Sequence, residues 1–180
     1  PSVNLIVNGD FSAGNGGFTT DYNFMPDLPS STTELWNEGT YSVVSNPNFV
    51  HTNFSPCSDH SGGGDMMVVN GAASFQQVWC QTISVTPNTD YIFQAFAASV
   101  ILQLAIDGLL LGSPINLSGT TCLWQEFYAT WNSDSNTNVE ICITNQNTAL
   151  SGNDFAIDDI FFGELCKDEE EFTVTFSTFD

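Results

Sequence analysis

Apolar residues along this chain come in short β-branched and aromatic runs, and clusters of Asn, Gly, Ser, Thr and Pro separate them. Helical spacing is nearly absent. That combination predicts an all-β chain, because β-branched and aromatic side chains suit a pleated, half-buried surface and the intervening residues suit turns. Strands are predicted over residues 5–7, 41–44, 66–70, 78–85, 90–98, 102–106, 122–131, 139–144 and 155–162. Asp107-Gly108 predicts a hairpin joining 102–106 to 109–111. Thr86-Pro87-Asn88-Thr89 and Ser133-Asp134-Ser135-Asn136 read as turns between strands. Strands at such spacing favour an antiparallel β-sandwich or jelly roll.

Two stretches depart from this pattern. Residues 14–61 are rich in Asn, Pro and aromatics and show little regularity. A long irregular segment inside a compact domain is usually functional. Beyond Gly163 a charge run, Lys167-Asp168-Glu169-Glu170-Glu171, precedes an alternating stretch over 172–179. The expected organisation is therefore one module over 1–163 and an acidic linker over 164–180. The alternating stretch reads either as the first strand of a following domain or as an edge strand of this one.

Composition narrows the function. A hydrophobic fraction of 42% in 180 residues supports a real core. Against 21 acidic residues stands one base, Lys167, giving a formal net charge of -20. Almost nothing basic is available to neutralise phosphate, so nucleic acid and anionic membrane surfaces are poor partners. No apolar run approaches the roughly 20 residues of a membrane span. Such self-repulsion points to a cation-rich or salty extracellular setting, although plain solubility explains it equally well. No signal peptide is visible in the sequence, so export is inferred indirectly.

The five cysteines, Cys57, Cys80, Cys122, Cys142 and Cys166, lack the paired spacing of a zinc site, and their odd number leaves one without an internal partner. Cys80 and Cys142 lie in strand-like runs and are expected to face each other across the sandwich. Asn53-Phe54-Ser55 and Asn116-Leu117-Ser118 are glycosylation sequons, relevant in a eukaryotic secretory host.

Near the two ends, Asn8-Gly9-Asp10-Phe11-Ser12 and Gly152-Asn153-Asp154-Phe155-Ala156-Ile157-Asp158-Asp159-Ile160 each set oxygen ligands beside an apolar anchor. If the first and last strands are neighbours, these oxygens converge on a hard cation, and calcium is the natural candidate. The alternative is that Asp10 and Asp158 merely cap turns.

With these motifs stand Met66-Met67-Val68-Val69-Asn70-Gly71, Trp79 with Gln81-Thr82-Ile83 ahead of Thr86-Pro87-Asn88-Thr89-Asp90-Tyr91, and Trp124-Gln125-Glu126-Phe127. In order and spacing the set resembles the galactose-binding-like β-jelly-roll family, which includes carbohydrate-binding modules of the family 4 and 22 type. Glu38-Gly39-Thr40-Tyr41, Asp59-His60 and the 152–160 segment resemble domains of large Bacteroidetes surface proteins, including gliding-motility adhesins. The resemblance spans roughly residues 4–163.

It implies a structural calcium held by backbone carbonyls of Asp10 and Asp65, the side chain of Ser12 and the carboxylate of Asp158. Ser12 and Gly62 stand where related modules often carry acids, and Asp59 is expected to supply the missing charge. It also implies sugar binding, for which exposed rings are the usual platform. Trp36 and Tyr41, in the irregular segment, are the first candidates; Trp79 with Gln81 and Gln103 is expected to line a concave face. Trp124 and Trp131 are expected in the core.

Cys57-Ser58-Asp59-His60 lacks the partners of a zinc or nucleophilic site and reads as a turn orienting the calcium loop. Asp158-Asp159 could suggest a glycosidase pair, but neighbouring strand residues point to opposite faces, so one is expected on the metal and the other outward. The expected protein is a non-catalytic, calcium-stabilised module of a secreted or cell-surface adhesin that binds glycan or a surface ligand. Two alternatives are a purely structural spacer between neighbouring domains and an accessory module of a polysaccharide-degrading enzyme.

Overall fold

The computed structural model describes residues 3–98, 101–116, 118–149 and 151–165. Lys167, Cys166 and the alternating stretch over 172–179 lie outside them. Ten strands form two sheets: β1 (Asn23–Phe24), β2 (Thr40–Val44), β3 (Met66–Asn70), β4 (Gln76–Ser84), β5 (Asp90–Ala98), β6 (Ile101–Ile106), β7 (Leu109–Asn116), β8 (Gln125–Asn132), β9 (Asn138–Asn145) and β10 (Phe155–Glu164). One sheet has the order β1-β2-β3-β10-β5-β8 and the other β4-β9-β6-β7. Every named pair is antiparallel except β1 with β2. The expected sandwich is present.

Alternation decides what each sheet buries. Tyr91, Phe93, Ala95 and Ala97 of β5 point inward, with Phe127 of β8 and Ile157, Ile160 and Phe162 of β10. They meet Trp79, Ile83, Leu104, Ile141 and Ile143 of the facing sheet. Trp131 is only partly buried, against this core. The hairpin turn at Asp107-Gly108 takes φ of 48° and 76°, which Gly accepts freely and Asp tolerates.

The outer face of the six-stranded sheet carries a second, smaller core. Leu35 and Val50 of the long irregular segment pack on Val44, Met66, Val68 and Ala156, with Trp124 partly buried beside them. That segment is thus a cover over β2, β3 and part of β10.

Two predicted strands differ. Residues 5–7 form no ladder, although they follow β10: the Leu5 amide donates to the Phe162 carbonyl, and the Asn4 side chain bonds both the Ile160 carbonyl and the Phe162 amide. A side chain takes the place of backbone, so the strand pattern is never completed. Residues 122–124 lie in a turn, with Cys122 at φ 59°, and β8 starts at Gln125. At the other end β10 runs through Glu164, and Leu165 donates to Asp90.

Cys80 and Cys142 do form a disulfide, but within one sheet: they are direct partners of β4 and β9. A second disulfide joins Cys57 to Cys122. Both fit an extracellular or otherwise oxidising location.

Gly71, just after β3, lies against Asn153: a Cβ there would come within 2.2 Å of the Asn153 carbonyl oxygen. Gly71 directly follows β3 and Asn153 is fully buried just before β10, so neither can give way freely, and Gly71→Ala is expected to lower stability by about 2 kcal/mol. Urea unfolding would read this as a lower midpoint at unchanged slope.

Candidate functional site

The outer face of the six-stranded sheet also holds the candidate site, and one irregularity shapes it. Between Asp158 and Phe161 the β10–β5 register shifts, and Asp159 takes φ 47°. A bulge of this kind re-aims side chains. The expected opposite orientation of the two aspartates is therefore corrected: both carboxylates reach His60. Asp158 Oδ2 accepts from the His60 amide at 2.9 Å, and Asp159 Oδ2 lies 2.6 Å from His60 Nδ1.

His60 belongs to a strap, residues 56–64, that crosses the sheet. Its ring stacks on Phe96 of β5 with centroids 3.6 Å apart. The Cys57–Cys122 disulfide and a bond from Trp124 Nε1 to the Ser58 carbonyl fix its near end. Asp59 is buried, and its carboxylate accepts from Gly62, Gly63 and the Ser61 hydroxyl. Burial opposes its charge, but these hydrogen bonds outweigh it and hold the carboxyl below the usual range. Glycine permits the tight turn, with Gly62 at φ 83° and Gly63 at φ 135°.

Of the residues expected to hold calcium, Asp158 lies at the bulge, and Asp10, Asp65 and Asp59 lie near it. Ile160 donates to the Gly9 carbonyl, which brings Asp10 alongside. Met67 pairs with Ile157 in an antiparallel ladder, so Met66 falls opposite Asp158 and Asp65 one position beyond, toward Asp159. Asp158 is 1% exposed, and its Oδ1 has no hydrogen-bond partner among the described residues. Burial is the main reason its carboxyl is pushed up to about 7, and the neighbouring Asp159 and Asp59 add to it. An orphaned carboxylate oxygen in this setting fits a cation.

The rest of the set fits less directly. Asp10 Oδ1 is occupied by the amide and hydroxyl of Ser12, which hold its carboxyl below the usual range, so these two form a local Asx turn. Among the described residues, the close trio of His, Cys, Asp or Glu ligand atoms is Cys80, Glu140 and Cys142, whose sulfurs are spent in the disulfide. Carboxylates alone do not build a cage at the bulge; backbone carbonyls would have to complete it.

The sugar-platform residues separate sharply. Trp36 is exposed, at 60%. Tyr41 and Trp79 are corrected: both are core, Tyr41 at 4% and Trp79 at 0%, because β2 and β4 direct them between the sheets. Gln103 is buried too, and its amide is spent on the Gly112 and Leu111 carbonyls. Gln81 latches the N-terminal segment through Val7 and Gly17.

Beyond the strap, the same face presents a row the sequence reading missed. Phe161 of β10 pairs with Gln94 of β5, which pairs with Tyr128 of β8. Tyr128 is 61% exposed, while Phe161 and Gln94 are half-buried. Asn8, Asp10, Gln94, Asp159 and Phe161 line a polar hollow of about 420 Å³ beside it. The row thus offers two rings flanking an amide, with carboxylates at the rim. Only strand register puts these three residues side by side.

No family model matches the chain, and no curated protein matches it in sequence. Solved structures do match. A family 16 carbohydrate-binding module is similar at TM-score 0.55 and 16% identity, covering 88% of this chain and 99% of that one. The shared fold is an all-β jelly-roll sandwich of two mainly antiparallel sheets. The CBM22-1 xylan-binding domain of Paenibacillus barcinonensis Xyn10C is similar at 0.55 and 8% identity, covering 87% and 91%. The Stig cyclase Fisc from Fischerella sp. TAU is similar at 0.62 and 13%, covering 92% and 98%. At such identities the likeness is one of fold, and it spans binding modules and a cyclase alike.

Proposed function

We propose that this domain is a non-catalytic glycan-binding module of a secreted or cell-surface adhesin. The observation that carries the reading is the Phe161–Gln94–Tyr128 row: rings stack on the apolar faces of sugars, and the amide between them bonds hydroxyls. The carbohydrate-binding modules among its structural neighbours support it, as do the two disulfides. Carboxylates at the rim, Asp10 and Asp159, together with a net charge of -20, favour neutral glycans over uronic or sulfated ones.

A calcium ion at the bulge belongs to this reading. Asp158 and Asp59 would hold it, with carbonyls of Asp10 and Asp65. When bound it supplies positive charge where three aspartates crowd, and so braces the strap that borders the row.

Affinity electrophoresis in neutral polysaccharides tests the glycan reading. Tyr128→Ala is expected to weaken binding at least about tenfold, or roughly 1.4 kcal/mol, with little change in melting temperature because the ring is exposed. Retardation by no neutral glycan, or retardation that survives both Tyr128→Ala and Phe161→Ala, would leave the domain as a spacer in a surface filament.

A further inference from the structure

On the far side of the strap from the aromatic row lies a separate cleft of about 270 Å³. Phe54, Val68, Ala98 and Ala156 give it one apolar wall, Asn53, Ser55 and Thr121 a polar rim, the Cys57–Cys122 disulfide borders it, and Asp154 supplies a carboxylate. Its volume lies just below the range typical of drug-sized pockets, so it suits a fragment-sized molecule.

Asp154 makes one long hydrogen bond, from the Gly71 amide to Oδ1 at 3.4 Å; among the described residues Oδ2 makes none. Burial pushes its carboxyl up, and nearby Glu38 adds negative potential that His51 partly offsets. No lysine or arginine can neutralise it from within the described residues, since the chain's single base is Lys167. Beside the cleft, the rings of His51 and Phe54 stack at 4.2 Å, with Trp36 6.0 Å beyond His51. A cleft with one apolar wall, one under-bonded carboxylate and a bordering ring stack complements a particular chemistry: a small ring carrying an ammonium group.

We propose that this cleft binds a small aromatic amine, its ring against Phe54, Val68, Ala98 and Ala156 and its ammonium at Asp154. The site does not depend on glycan binding at the row, from which the strap separates it.

Titration calorimetry with phenethylamine and its uncharged analogue 2-phenylethanol tests the proposal, at roughly 0.3 M salt to screen the general negative field. The amine is expected to saturate one site and to bind at least about tenfold more tightly than the alcohol. Asp154→Asn is expected to erase that preference, and Ala156→Leu, which fills the cleft, to abolish both. Melting curves confirm that each variant folds; should Ala156→Leu fail, Ala98→Val narrows the same cleft from β5. Equal affinities for amine and alcohol, amine binding unaffected by Asp154→Asn, or no saturable binding up to about 10 mM would each overturn the proposal.

Discussion

Without divalent cations, this domain is expected to lose stability as the pH rises from about 4 to about 8, and calcium is expected to remove that loss. The cause is Asp158, whose carboxyl is pushed up to about 7, chiefly by burial. In the unfolded chain it ionises near the ordinary aspartate value of about 3.9. Between those values the folded state keeps a proton that the unfolded state has released. Stability from this group is therefore full below pH 4 and falls as the pH climbs through 7. About three pKa units correspond to a loss of up to roughly 4 kcal/mol. A cation at the unpaired Oδ1 stabilises the ionised form, so calcium should matter most at neutral and alkaline pH. Urea midpoints between pH 4 and 8, in EDTA or millimolar calcium at fixed ionic strength, measure both effects. Asp158→Asn should flatten the slope and abolish the calcium response together. An identical profile with and without calcium would remove the ion from the account.

Loss of the Cys57–Cys122 disulfide is expected to have an effect of the same size. The bond closes 65 residues of chain, and releasing a loop of that length costs about 4 kcal/mol on the chain-entropy account. The double variant Cys57→Ser, Cys122→Ser should therefore melt well below the parent. Its other consequence is local. The strap would keep its His60 contacts to Asp158, Asp159 and Phe96 but lose its fixed end, so the His60 amide should exchange with solvent much faster. A mild reductant should produce the same state selectively, because Cys80 and Cys142 are buried while Cys122 is exposed. Unchanged exchange at His60 would mean that the bulge alone secures the strap.

The strand pattern was legible because each run carries its own signal. Tyr91, Phe93, Ala95 and Ala97 alternate with half-buried neighbours, and the Asp107-Gly108 hairpin stands where its residues demand it. What stayed hidden depends on relations between runs. Alternation shows that Phe127 and Tyr128 face opposite ways, but not which face the irregular segment covers. Hence Tyr41 and Trp79 read as sugar platforms although both fill the core, while Tyr128 and Phe161 passed unremarked. The bulge at Asp159 broke the alternation that assigned Asp158 and Asp159 to opposite faces. Cys57 and Cys122 lie in irregular chain, where no register could pair them. The partnership of Cys80 with Cys142 was visible, yet its place within one sheet was not. The two end motifs, whose adjacency the sequence left as a condition, do lie side by side, through hydrogen bonds rather than a ladder.

The way residues 3–9 follow β10 sets how the domain would respond to pulling. Leu5 bonds Phe162 and Gly9 bonds Ile160, so the two segments run in opposite directions, and a side chain at Gly163 would strike the Val3 carbonyl. Both ends of the described chain thus leave from the same corner of the sandwich. Tension applied there would load the Val3–Gly163 end first and part the bonds in succession, as a zipper opens, rather than shearing them all at once. The first events would detach the N-terminal segment and its latch at Gln81 while the two sheets remained packed.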